Sequence, residues 1–458
     1  MTDRLGVPTP LIVALGLGTL LNPLNSSMIA VALVRLQHDF DIGVATSTWL
    51  VSAFYVAASV GQPLMGRLID QFGARQLFLV GLVIVFATSL ASPFAPDFWW
   101  LVGIRAAQAV GSSAAFPASV VLVRHSIPEG GNPAAGLGVL SVTASASAAL
   151  GPVIGGLLVT SAGWQAIFWI NLPLTVAGFV LGWRAVPHLA TNGERSSART
   201  TVARLDLPGV TSFTVAVTML LLFLLSFAGQ PRWWCLPVFL VAGGYFVVRE
   251  RSAPVPFIDI RELTRNRPLS TVLTQQAVIN LAFYCIFFGM PLWLEGVRGL
   301  DPGVVGMLLL PITAVSSLTT PLTALLIGRR GPRLALIIGG SVLVVNSLLL
   351  QLMTDGTPLW LFVVFAVLLG VPNGFNNLGL QTSLYQAAPP EQTGTASGLF
   401  QTCRYLGAIL ASTALGIVFE HDLTSTGLHH IGYLMTSAAV VVLALSLIRW
   451  GRGAATRS

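Results

Sequence analysis

Lysine is absent from this 458-residue chain, and charge of either sign is scarce: 9% of residues are charged. An ordinary soluble domain carries roughly 25%. A soluble chain of this length could not cover its surface with so few charges, so that class is excluded. Cysteine is nearly missing too. Cys235, Cys285 and Cys403 fall in or beside apolar blocks and show neither a disulfide framework nor metal-ligand spacing. They read as small packing residues. No nucleophile–base pairing, phosphate-cradling loop or zinc spacing stands out. No enzyme, cofactor or metal centre is therefore expected; the adjacent His429 and His430 would hold a metal only adventitiously.

What the chain does have is apolar residues, 54% of the total. They come in blocks of about 20, the length that crosses a hydrocarbon core. Fourteen spans are expected, at about 11–33, 47–66, 76–95, 99–123, 134–160, 165–183, 208–228, 233–248, 269–292, 303–327, 334–353, 359–386, 394–419 and 430–448. The chain opens without a small-residue cleavage pattern, so the first block is expected to stay as a span. Two charged stretches divide the spans into six, two and six: "HLATNGERSSARTTVARLD" from His188 and "RERSAPVPFIDIRELTRNRP" from Arg249. The expected architecture is all-α: a bundle over 1–187, a linker with two extra helices over 188–268, and a second bundle over 269–458.

All 24 basic residues are arginine, which gives a pI near 10.0. Nucleic acid is not the expected partner, because the arginines sit in short loops between apolar blocks. With the N-terminus inside, nineteen lie in cytoplasmic segments and three (Arg35, Arg232, Arg298) in outer ones. Both termini are then cytoplasmic, in the inner (plasma) membrane. Arg105 and Arg404 remain within spans. A guanidinium there is costly, cannot lose its proton and needs internal acceptors. Arg105 and Gln108 are three apart and share a helix face. A weak internal repeat appears as well. "GRLIDQFGARQ" from Gly66 follows span two, and "GRRGPRLA" from Gly328 follows the second span of the last six.

These features resemble the major facilitator superfamily and, within it, the fourteen-helix drug:proton antiporter branch. Gly66, Arg67, Asp70, Gly73 and Arg75 match the superfamily's loop motif. Asp70 can pair with arginine or cap a helix N-terminus across the half-to-half interface. The resemblance implies a latch of the outward-open state, and a solvated loop that only marks topology is the other reading. "RAAQAVG" at Arg105–Gly111 resembles the family's arginine motif, associated with proton coupling; a purely structural bridge to span one stays open beside it. "GPVIGG", with Gly151, Pro152, Gly155 and Gly156, resembles the antiporter motif and reads as a hinge or tight seam. "WQAIFWINLPL" from Trp164 resembles the branch's sixth span, with Trp164 placed as an interfacial anchor. In the second half, "ASGLFQTCRYLGA" around Arg404 resembles the branch again.

Further candidates to line a substrate cavity are Gln276, Asn280 and Tyr284 on span nine and Asn373, Asn377 and Gln381 on span twelve. Aromatics mixed with amides suit a bulky amphipathic molecule. Lipid-facing aromatics with interhelical amide bonds are the plainer alternative. The resemblance departs in span one, "LNPLNSSMIAVAL". Asn25 occupies the place where the branch often keeps an acid, and Asn22 stands beside it. No acid reads as mid-span. Three meanings stay open: coupling through a boundary acid, with Glu295 the first candidate; facilitation without protons; or anion transport on Arg105 and Arg404. The resemblance implies a monomeric exporter of small amphipathic molecules, with protons as coupling ion and lipid as surroundings. Uptake of a neutral or anionic metabolite, and a non-transporting sensor or scaffold, are the alternatives.

Overall fold

The computed structural model describes residues 7–42, 44–47, 49–127, 134–186, 206–228, 230–253, 256–258, 260–300, 302–421 and 424–447. The polar stretch between His188 and Arg204 lies outside them. The described residues form helices and no strand. In chain order the main helices are α1 (Thr9–Asp39), α2 (Trp49–Phe72), α3 (Ala74–Ala91), α4 (Phe98–Ser112), α5 (Ala115–Ser126), α6 (Ala134–Ala162), α7 (Asn171–Ala185), α8 (Leu207–Leu225) and α9 (Cys235–Ser252). They continue with α10 (Arg267–Gly296), α11 (Pro302–Arg330), α12 (Pro332–Leu350), α13 (Leu359–Ala387), α14 (Thr393–His421) and α15 (Ser425–Leu447).

Every expected span coincides with a helix, the fourth being shared by α4 and α5. Among the described residues, eleven helical stretches are long and apolar enough to cross a membrane. The other three expected spans fall on α2, α6 and α9. Ser52, Tyr55, Ser59 and Gln62 make α2 more polar, and α9 ends in Arg249, Glu250 and Arg251. In α6 the apolar stretch is the shorter Ala135–Ala148.

Two compact units can be separated. One holds Met1–Phe223, Trp233–Ile260 and Ala388–Thr402; the other holds Leu224–Arg232, Arg261–Ala387 and Cys403–Ser458. The extra helices thus group largely with the first unit, as do the opening turns of α14. In the first unit α1 packs on α6 and α7, α2 on α4, and α3 on α4 and α7. In the second, α10 packs on α15, α11 on α13, and α12 on α13 and α15. First-with-sixth, second-with-fourth, third-with-fourth and third-with-sixth pairings therefore occur twice. The repeated basic turn fits this pattern. Gly73 and Gly331 both precede a helix, with φ of 94° and 78°, a backbone conformation that favours glycine.

Each unit has an apolar core of its own. Leu24, Met28, Leu101 and Phe168 meet in the first, and Trp293, Ile312, Phe365 and Met435 in the second. Trp164, expected as an interfacial anchor, is buried at 4% exposure. Its indole N–H donates to Asp39 Oδ2 at 3.0 Å, and its ring lies edge-on to Phe168. Its ring thus packs in the core while its polar edge meets a carboxylate at the exposed end of α1.

Candidate functional site

The polar centre of the first unit is built around Arg105 on α4, which is 1% exposed. Its Nη1 donates to Gln108 Oε1 at 2.6 Å, one turn along the same helix. Its Nη2 donates to the Asn25 carbonyl on α1 at 3.0 Å. The guanidinium carbon also sits 4.4 Å from the centre of the Phe54 ring on α2. An aromatic face is attractive to a cation that water cannot reach. Gln108 passes the chain on, donating from Nε2 to Ser89 Oγ on α3 at 2.8 Å. Four helices are thereby tied to one charge.

Asn25 is buried, and its amide is committed. Asn25 Nδ2 donates to Asn171 Oδ1 at 3.0 Å, while Asn171 Nδ2 donates to Asn25 Oδ1 at 2.8 Å. Two amides can close such a ring because each carries a donor and an acceptor. Asn25 Nδ2 reaches the Leu21 carbonyl as well. Arg105 thus meets Asn25 through the backbone rather than the side chain. Asn22, half-buried, donates to Ser112 Oγ at 3.1 Å. Asn171, Ser89 and Phe54 were not among the expected site residues. The clue to Asn171 is its amide inside the apolar "FWINLPL" run, which family likeness alone had explained.

The small residues of α6 act at its seam with α1. A Cβ on Gly151 would collide with Ser27, and one on Gly155 would stand 3.1 Å from the Met28 Cα. Gly156 follows on the same helix, and the Pro152 side chain lies outside the described residues. Gly151 and Gly155 thus stand where α6 comes closest to Ser27 and Met28 of α1.

Asp70 lies beyond the apolar stretch that ends near Gly66. Its carboxylate accepts the backbone N–H groups of Gly394 and Thr395, both at 2.8 Å, and the Thr395 hydroxyl at 2.7 Å. These are the unsatisfied donors of the α14 N-terminus, where negative charge is favoured. Burial pushes the Asp70 carboxyl up to about 6, against the opposing pull of these donors and of Arg67. Gly66 makes the approach possible, since a Cβ there would collide with the Gly394 carbonyl. Arg75 donates to the Trp183 carbonyl at 2.7 Å and covers that ring. Arg124, read only as a topology marker, supplies a second tie. Its Nη1 donates to Thr393 Oγ1 at 2.6 Å and to the Ala388 carbonyl at 3.1 Å.

In the second unit, Gln381 Nε2 donates to Asn377 Oδ1 at 3.1 Å on α13, and Asn280 Nδ2 donates to the Gln276 carbonyl on α10. Tyr284 stacks on Phe288 with ring centres 5.2 Å apart. Asn373, Asn377 and Arg404 are half-buried. Asn376, a neighbour of the chosen residues, is fully buried against Gly339, and neither its Nδ2 nor its Oδ1 finds a hydrogen-bond partner. The Glu295 side chain lies outside the described residues. Two outward grooves, of about 630 and 620 Å³, are lined by apolar residues such as Val215, Val241, Trp99 and Trp100. Neither includes any of the expected polar residues. No group of three metal-ligating side chains occurs among the described residues.

Comparison with known proteins follows the same lines. The chain is 38% identical over 434 residues to an uncharacterized MFS-type transporter, YwoD, of Bacillus subtilis, covering 95% of each. It is 28% identical to the tetracenomycin C resistance and export protein of Streptomyces glaucescens, over 90% of this chain and 76% of that one. The methylenomycin A resistance protein of Streptomyces coelicolor is also 28% identical, over 89% and 85% of the two chains. In fold, the chain superposes on the human organic anion transporter MFSD10 with a TM-score of 0.66 at 16% identity, over 96% of this chain and all of that one. The relatives named for antibiotic resistance accord with the drug:proton antiporter branch. The Major Facilitator Superfamily model matches residues 15–412, and this chain belongs to that family: it is a multi-pass membrane transporter, not an enzyme.

Proposed function

We propose that the protein exports small amphipathic molecules across the plasma membrane by alternating access, with proton antiport as its energy source. Likeness to two antibiotic-resistance proteins over about nine-tenths of the chain carries this reading. Fourteen crossings, two six-helix bundles with an inserted pair, and cytoplasmic termini complete it. The half-buried Asn22 in the first unit, and Asn373, Asn377, Tyr284 and Arg404 with Gln276, Asn280 and Gln381 in the second, are the side chains assigned to substrate. Arg105, Gln108 and Asn25 are assigned to holding four helices in register around a buried charge. Gly66, Arg67, Asp70, Gly73 and Arg75 form the latch on α14, and the α6 glycines form the seam on α1. Glu295 is the candidate proton carrier. Uptake of a neutral or anionic metabolite remains the second reading, favoured by the lack of a mid-span carboxylate among the described side chains.

Reconstitution into proteoliposomes with an imposed pH gradient tests this, with tetracenomycin C and methylenomycin A as probes. Export predicts accumulation that follows the gradient and collapses in Glu295→Gln. Accumulation that ignores the gradient removes antiport. Uptake of an anion in place of either antibiotic selects the second reading.

A further inference from the structure

A second titratable site stands at the charged end of the inserted helix pair. Asp206 immediately precedes α8, and Glu250 sits near the end of α9, beyond the apolar stretch that ends near residue 248. Both are almost wholly buried, at 5% and 2% exposure. Asp206 Oδ1 accepts from Arg249 Nε and Nη2 at 3.1 and 3.0 Å. Glu250 Oε2 accepts the Ile258 backbone N–H at 2.9 Å. The remaining oxygens, Asp206 Oδ2 and Glu250 Oε1, have no donor. They converge on one spot, since a Cβ on Gly209 would strike both.

Two buried acceptors facing each other without a donor repel. One hydrogen between them turns the contact into a bond. Charge points the same way: with both carboxyls ionised, the trio of Asp206, Glu250 and Arg249 carries one net negative charge, whereas one proton makes the trio neutral. We propose that Asp206 and Glu250 form a proton-binding site that holds one proton between Asp206 Oδ2 and Glu250 Oε1. The bound proton ties the start of α8 to the end of α9. Through Glu250 Oε2 it also ties the segment at Phe257 and Ile258. Loss of the proton leaves two carboxylates side by side and loosens that tie.

Arg249 bonds to the pair, and Tyr245, one turn back on α9, acts on Arg249. Arg251 and Arg261 flank it in sequence. On α8 the described residues after Asp206 include no other titratable side chain, and neither do Phe257 and Ile258. Burial pushes the Glu250 carboxyl up to about 7, the Asp206 charge acts in the same direction, and the Ile258 and Phe257 N–H groups oppose both.

Proton binding is measured on the purified full chain by potentiometric titration from about pH 5 to 9, with the infrared carboxyl band as a second readout. The wild type should release one proton more than Glu250→Gln, with a midpoint near 7. The protonated carboxyl band should fade with the same midpoint. Gln keeps a donor facing Asp206, so the tie persists without the titration. In Asp206→Asn the neighbouring charge is gone, and the midpoint should move down. Superimposable curves for wild type and Glu250→Gln, or an unmoved midpoint in Asp206→Asn, overturn the proposal. Replacing choline by sodium at constant ionic strength separates a proton from a metal cation. A midpoint that falls with sodium makes the site a cation site and also overturns it. No substrate or gradient enters these measurements, so their outcome is independent of export.

Discussion

On α1 and α7, Asn25 and Asn171 face each other with their side chains out of water; between α8 and α9, Asp206 and Glu250 do the same. The first contact closes on itself, since each amide brings a donor and an acceptor, and both bonds form at any pH. The second cannot close without a proton. A carboxylate brings acceptors only, and the oxygens that meet are those left without a partner. The amide ring lies in the apolar part of the bundle and the carboxyl pair at its charged edge. Where protons are scarce the chain uses groups that need none. Beside the partly exposed Arg249, it keeps groups that can gain or lose one.

The largest expected effect comes from breaking the amide ring on one side. Asn25→Leu leaves the Asn171 acceptor buried and unmet and its donor with only the long bond to the Ile167 carbonyl at 3.4 Å, at a cost of about 2 kcal/mol. Asn25→Leu combined with Asn171→Leu should recover most of that loss, because no orphan remains. Unfolding of the three variants measures it; losses that simply add would mean that the two amides are not coupled.

Next comes Gly209→Ala. Its methyl would press on Asp206 Oδ2 and Glu250 Oε1 together, costing about 1–3 kcal/mol, and should lower the melting temperature. A variant that melts like the wild type would mean that the two carboxyls do not both close on Gly209.

A smaller effect concerns pH. Between Glu250's ordinary value of 4.5 and about 7, the folded chain binds more protons than the unfolded one. Stability from this group is therefore full below the ordinary value and falls as pH rises through the window. The melting temperature of wild type relative to Glu250→Gln should decline over that range, while Asn25→Leu relative to wild type should show no such slope. Asp70 contributes a decline of the same sign at lower pH, which the Glu250→Gln difference cancels.

The smallest effect is expected from Arg249→Gln. The guanidinium is partly exposed, at 39% of its side chain, so its field is screened. Its loss should raise the Glu250 titration midpoint by a fraction of a pH unit. A midpoint that falls would mean that Arg249 does not favour the ionised pair.

Several features follow from the sequence by itself. Scarce charge and apolar blocks of bilayer length require a helical membrane protein, because lipid leaves the backbone no partner but itself. Residues three apart on a helix must face the same way, so the Arg105–Gln108 contact was legible before any packing was known. The loop pattern around Asp70 pointed to a helix N-terminus as one of its partners. Which terminus it was, 324 residues away in the chain, required the folded molecule. The same holds for Asn25. Its place in an apolar helix and its departure from the family's acid could be read; its partner Asn171, 146 residues on, could not. Asp206 and Glu250 stood in separate charged stretches, with nothing to say that they meet. Local spacing along a helix is dictated by backbone geometry. Which faces of distant helices touch depends on how glycines such as Gly151, Gly155 and Gly209 let their backbones and side chains approach, and that is decided only when all the helices pack at once.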